Sequence, residues 1–401
     1  MNENKLATAS FARLKAYCEQ EEFKGWDPYD GLNSRFFQAL PGIRNSRLVR
    51  LAWIQAFKRM PFNLRPLFGV RKGYNPKALG LFLSAYCLMY RREEKAEYLD
   101  RIRSLSRQLL ELRTSGWSGD CWGYNFDWQA RAFLQPKGTP TVVASSFIAN
   151  ALLDAYDITG ERTLLDSARS TCTFFLTDLH RTYDEAGNFS FSYSPLDKSV
   201  VYNATLLGTR LLARVYKLTG EDLLRQEAKR SLDFCCSRQK EDGSWAYGTY
   251  HFHQWIDNFH TGFNLECISD YIRYTGETEY ETVLEKGFDY YVNTFFTEEG
   301  MARYYSNQTF PIDVHAPAQL LITLVKMDRL AEYRDLADRV LNWTIKNMQD
   351  PKGYFYYQYR RRFSSRIPYM RWAQAWMFYA MTTYQTKIAQ HETDHYLQHS
   401  L

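Results

Sequence analysis

The chain has 401 residues, 45% of them hydrophobic and 24% charged, so there is ample apolar material for a large globular core. Its net charge of +5 is mild, and no lysine–arginine stripe is interleaved along one predicted helix, which argues against a nucleic-acid partner. No segment approaches the roughly 18 apolar residues needed to cross a bilayer, so no transmembrane segment is expected.

In chain order, Met1-Asn2-Glu3-Asn4-Lys5 leads into no apolar run, and no secretory signal is predicted. Residues 1–20 read as a short amphipathic helix. Residues 21–45 carry Pro28, Gly31, Pro41 and Gly42 and read as irregular. A helix is predicted at 46–59, ended by Pro61, and 63–76 is a predicted loop. Segment 1–74 is therefore expected to pack on a larger body spanning 75–388, with 389–401 as a frayed tail. The seven cysteines are odd in number, fit no metal spacing and lie mostly in apolar helical stretches. They read as reduced thiols, and the protein is expected to be soluble and cytoplasmic.

From Leu79 onward the predicted helices come in pairs. Leu79–Arg91 precedes Lys95–Leu112, Thr141–Tyr156 precedes Glu161–Leu179, and Ser199–Tyr216 precedes Glu221–Arg238. Phe259–Tyr274 precedes Glu277–Phe296, Ala316–Met327 precedes Ala331–Met348, and Tyr369–Tyr384 comes last. The first helix of each pair is apolar nearly all round, while the second carries charge on one face. The first set should form an inner ring and the second an outer one.

Two markers keep this beat. A glycine followed by aromatics recurs at Trp122-Gly123-Tyr124, Gly187-Asn188-Phe189, Gly243-Ser244-Trp245, Gly300 with Tyr304-Tyr305, and Gly353-Tyr354-Phe355. The intervals are 64, 56, 57 and 53 residues, long enough for two helices and a loop. Thr159-Gly160, Thr219-Gly220 and Thr275-Gly276 close pairs, as glycine does at a helix C-terminus. Five pairs, plus the last helix matched with an N-terminal one, predict an all-α (α/α)6 barrel.

The long loops all join an outer helix to the next inner one, so they should gather at one end. Aromatic residues make up 16% of the chain, and Tyr and Trp offer an apolar face with a polar tip. Stacking candidates are Trp122, Trp245, Trp255 and Tyr304, with Tyr247, His251, His253, Tyr305, Tyr369 and Trp372 as further binding candidates. His260 and His315 are candidates for moving protons, with Asp127, Asp257 and Asp313 as partner acids. Asp257 and His260 are three apart, which puts them on one face of a helical first turn; Asp257 is equally a candidate N-cap. Arg371 is placed to clamp a carboxylate or phosphate, or else to pair with Asp127 or Asp313 and brace the barrel. His251, His253 and His260 form only a weak metal pattern, and neither metal nor cofactor is expected.

With helix pairs and aromatic loops together, residues 75–385 resemble the glycan-active (α/α)6 toroids: sugar 2-epimerases, unsaturated-uronyl hydrolases, uronate lyases and glucuronyl C5-epimerases. The arginine and histidine motifs of the N-acylglucosamine 2-epimerases are not found. Asn63-Leu64-Arg65-Pro66, Asn75-Pro76-Lys77 with Leu79-Gly80-Leu81, and the run from Trp255 to Gly262 are similar to uncharacterised proteins of prokaryotic surface-polysaccharide clusters. Phe234–Trp245 resembles the glutamine–tryptophan repeat of terpene cyclases, with Gln239 closing an outer helix and Gly243 to Trp245 turning the chain, but their acid motif is missing. The similarity to surface-polysaccharide cluster proteins implies a context, glycan assembly or modification in polysaccharide biosynthesis, and no named reaction. With the candidate residues, the leading expectation is an enzyme acting on an acidic, uronate-containing glycan by proton abstraction, as an epimerase or lyase does. Alternatives are a two-carboxylate glycoside hydrolase, a non-catalytic glycan-binding or scaffold protein, and a terpene-cyclase-like toroid. Oligomeric state is not legible.

Overall fold

The computed structural model describes residues 3–131 and 133–399, with the side chains of 5–131 and 133–391. Fourteen α-helices are found among them. α1 (Glu3–Gln20), α2 (Arg35–Gln38) and α3 (Arg47–Arg59) precede the repeat. The pairs are α4 (Pro76–Glu93) with α5 (Ala96–Glu111), α6 (Val142–Thr159) with α7 (Arg162–Asp178), and α8 (Tyr202–Thr219) with α9 (Asp222–Cys236). Then follow α10 (Asn258–Thr275) with α11 (Glu281–Phe295), α12 (His315–Lys326) with α13 (Arg334–Met348), and finally α14 (Ala375–His399).

Three of the inner helices, α4, α6 and α10, have side-chain caps on their first turns. Asn75 accepts from the backbone N–H groups of Lys77 and Ala78, with Pro76 at the first helical position; Thr141 and Asp257 cap α6 and α10 in the same way. Their ends are equally defined: Gly160, Gly220 and Gly276 have φ of 69°, 74° and 78°, and each N–H donates to the carbonyl four residues back. Between cap and end, α4 is buried from Pro76 to Cys87 and α6 from Val142 to Leu153, as helices apolar all round should be.

Packing closes the ring. α4 lies against α6, α6 against α8, α8 against α10, α10 against α12, α12 against α14, and α14 returns to α4. This is the (α/α)6 barrel. Its sixth outer helix is α1, which packs on α13 and α14, so the last inner helix is matched with an N-terminal one as the count of pairs required. Gln349 fastens that seam: its Nε2 donates to the carbonyls of Ser10 and Gly353, and its Oε1 accepts from the Ser10 hydroxyl. Gln239 does the same two repeats earlier, donating to the carbonyls of Gly243 and of Val283 on α11. At the other terminus α14 continues as helix through His399 where a frayed tail was expected, and residues 400–401 lie outside the described residues.

The loops at the inner helices' N-terminal end carry three short antiparallel pairs. β1 (Trp128–Gln129) pairs with β2 (Leu134–Gln135), β3 (Arg181–Tyr183) with β4 (Phe189–Phe191), and β5 (Ile312–Asp313) with β6 (Gln358–Tyr359), the last joining two different loops. The glycine phrase divides in two. Gly243 closes a turn at φ +90°, in line with Gly187, Gly300 and Gly353. Gly123 has ordinary φ and is required for another reason: a Cβ there would stand 2.3 Å from the Thr139 carbonyl oxygen, where the two chains cross. Gly123→Ala is therefore expected to cost about 1–3 kcal/mol, read as a lowered midpoint in thermal or urea unfolding.

Candidate active site

Where the six inner helices begin, a cavity of about 360 Å³ opens. Every inner helix reaches it from its first turns or the residues just before: Lys77, Val143, Asn203, Phe259 and His260, His315, and Arg371 with Trp372. The loops supply aromatic walls, and Leu51, Gln55 and Lys58 of α3 cover one side. Among the described lining residues no Asp or Glu occurs.

Asp257 and His260 sit together as their spacing predicts. Asp257 accepts from the backbone N–H of His260, so it is the N-cap of α10. Both its carboxylate oxygens also lie 2.9 Å from Nδ1 of His260. The two readings of Asp257 thus hold at once: cap and imidazole partner. A carboxylate on Nδ1 fixes the proton there and leaves Nε2 as the free acceptor. His260 is part-exposed to the cavity, while Asp257 is buried behind it and reaches only a small adjoining cleft with Asn203 and Trp245.

His315 lies on the far side of Phe259. Its ring stacks parallel on Phe259 at 4.3 Å and leans on Trp376 at 4.1 Å, and neither ring nitrogen has a hydrogen-bond partner. Burial, reinforced by Lys77, His260 and Arg371, pushes its pKa well below the ordinary histidine value, so the ring is neutral. Asp313 stays out of the cavity. It accepts from Gln358 Nε2, Trp372 Nε1 and the His315 backbone N–H, so it orients His315 and Trp372 from behind; burial raises its carboxyl to about 6.

Lys77 escaped the sequence reading. It is buried at the second residue of α4 and lines the cavity, with Nζ over the Phe147, Trp376 and Phe263 rings at 4.2, 5.2 and 5.7 Å. Burial and then Arg371 pull its amine well below the ordinary lysine range. A lysine one turn into a helix ordinarily points to solvent; only ring closure turns this one inward.

Arg371 lines the cavity but is already engaged. Nε and Nη2 hold Asp27 at 2.5 and 2.8 Å, both partners being about 5% exposed. The brace expected from Asp127 or Asp313 thus comes from Asp27, 344 residues away. Beside it Arg65, fully buried, binds Asp30 through Nε and the Tyr369 hydroxyl through Nη1.

The aromatic candidates separate by depth. Tyr247 and Trp255 stack at 4.2 Å on the cavity wall, and Tyr304, Tyr305 and Trp372 line it as well. Trp122 is fully buried in the core, its Nε1 donating to the Leu109 carbonyl. Trp245 is likewise buried, donating to Cys235, and reaches only the small cleft. Tyr369 is spent on Arg65. Asp127 accepts from the Lys137 backbone N–H and braces its own loop. His253 lines the cavity with its pKa drawn down to about 4, chiefly by burial, whereas His251 is exposed on a 3-10 turn and does not line it. Among the described residues no three His, Cys, Asp or Glu side chains converge as metal ligands.

No protein-family model matches the chain, and no curated protein matches it in sequence. Solved structures do match its fold. A cellobiose 2-epimerase from Bacillus thermoamylovorans superposes with TM-score 0.64 at 13% identity, over 80% of this chain and 90% of that one. An unsaturated glucuronyl hydrolase specific for heparin gives 0.63 at 11% identity, over 97% and 98%. A D-mannose isomerase gives 0.59 at 15% identity, over 79% and 87%. At these identities the likeness is one of fold, the toroid of glycan-active proteins.

The buried Asp27–Arg371 pair makes a direct test of the site's framework. Asp27→Ala leaves an uncompensated guanidinium in the interior and is expected to cost about 3–5 kcal/mol in urea unfolding.

Proposed function

We propose that the protein is a carbohydrate-active enzyme that abstracts a proton from an acidic sugar, as an epimerase or lyase does. The observation that carries this reading is one cavity lined by three imidazoles, His253, His260 and His315, of which His260 is backed by a buried carboxylate, with no carboxylate on its described lining. Hydrolysis by two carboxylates needs both acids at the scissile bond, which weighs against the hydrolase alternative.

In this mechanism Tyr247, Trp255, Tyr304 and Trp372 receive the sugar faces. The substrate carboxylate lies towards Lys77, whose Nζ sits over the Phe147 ring, and His315, whose ring nitrogens have no hydrogen-bond partner. Arg371, committed to Asp27, does not clamp the substrate. Nε2 of His260 takes the proton from the carbon beside the carboxylate, and the electron pair moves into the carboxylate. Asp257 stabilises the imidazolium that results. Return of a proton to the opposite face, from water on the His315 side, gives the epimer, the hydroxide so formed taking back the proton held by the His260 imidazolium; departure of an oxygen substituent on the next carbon, protonated by that imidazolium, gives the unsaturated product instead.

Two experiments follow. Incubating the enzyme with uronate-containing glycans in heavy water should place deuterium at carbon 5 or release an unsaturated product. His260→Ala should lower that rate by about 100- to 10,000-fold while glycan binding persists; unchanged turnover removes His260 from the mechanism. Lys77→Met should erase the preference for acidic over neutral sugars in calorimetric titrations. The wild-type preference should fade on the alkaline side at a pH below lysine's ordinary pKa of 10.5, because the depressed amine loses its charge early.

A further inference from the structure

Between Asp30 and Glu93 the chain has no Asp or Glu at all. Within that stretch, residues 35–72 hold nine of the 50 Lys and Arg, so the remainder of the chain is net negative. Only Arg65 and Lys72 of the nine pair with a carboxylate, Asp30 and Glu21 respectively. Arg35, Arg44, Arg47, Arg50, Lys58, Arg59 and Arg71 have none among the described residues.

The same stretch exposes apolar side chains that a water-facing surface would cover. Leu67 and Leu48 are 79% and 77% exposed, the two highest values among large apolar residues described, and Phe62, Phe36 and Ile43 are at least half exposed. Residues 41–48 are exposed without interruption. Leu48 shares a helical face with Leu51, Gln55 and Lys58, which line the cavity, so this surface runs from the rim of α3 into the mouth. The loop after β6, at the same end of the barrel, adds exposed Arg361 and Arg362 beside Phe363, 70% exposed.

We infer that α2, α3 and the turns around them form a docking surface for an anionic lipid bilayer, holding the cavity mouth against the membrane. Unpaired cations beside exposed Leu, Ile and Phe match a surface that offers negative headgroups over an apolar layer. An acidic polysaccharide would satisfy the cations but would leave Leu48 and Leu67 in water, so the bilayer is the better complement. No helix of the described residues is long and apolar enough to cross the membrane, so the association is peripheral. The inference stands apart from the chemistry in the cavity.

The test is sedimentation of the full chain with vesicles of phosphatidylcholine alone or mixed with phosphatidylglycerol. The expected result is binding at least about tenfold tighter to the anionic vesicles, weakened by salt. The Leu48→Asp/Leu67→Asp variant should lose that binding by about tenfold yet still bind soluble dextran sulfate. Both leucines are exposed, so its thermal midpoint should match the wild type. Absence of sedimentation with anionic vesicles overturns the inference. So does vesicle binding that survives the leucine changes and is abolished only by dextran sulfate, which would mark a polyanion surface instead.

Discussion

Packing of α14 against α4 is the contact on which the rest of the molecule depends. Before it forms, the five helix pairs and the lone α14 could continue as an open curve; once it forms, all six inner helices must begin at one end. That single topological fact brings Lys77, His260, His315 and Arg371, drawn from nearly 300 residues of sequence, onto one cavity. It also aims six helix N-termini, with their partial positive charge, at the same mouth. A site of this kind favours groups that carry or develop negative charge.

The closure is locked by N-terminal chain laid over the seam. α1 fills the sixth outer place, and Gln349 binds it to α13. Beyond α1, Asp27 and Asp30 enter the interior to meet Arg371 and Arg65. Buried ion pairs of this sort contribute little net stability but strongly penalise any arrangement that separates the partners. Their effect here is to specify where the N-terminal segment lies, and with it where Tyr29 and α3 meet the cavity.

Much of this was legible in the sequence because periodicity is a collective signal. The 56- and 57-residue beat, the Thr-Gly ends and the contrast between apolar and one-faced helices each reported the same repeat. Asp257 and His260 were legible for a local reason, a three-residue spacing at a helix start. What could not be read was direction. Trp122 and Trp255 stand in equivalent loops, yet one plugs the core and the other walls the cavity, since a turn of one residue decides which way a ring faces. Asp127 looked as good an acid as Asp257, but it holds the Lys137 backbone N–H where Asp257 also holds an imidazole. Asp27 gave no signal at all, being 344 residues from Arg371. The want of acid between Asp30 and Glu93 was visible throughout, but a net charge summed over the whole chain conceals it.

The account stands or falls on whether sugars enter this cavity and meet the imidazoles of His260 and His315. Imidazole resonances of protein labelled with nitrogen-15 at histidine, followed during titration with a uronate oligosaccharide, address that directly. Shifts at His260 and His315, with His391 at the far end of α14 unmoved, are the predicted result. Resonances of His260 and His315 that stay fixed while the oligosaccharide binds would contradict it.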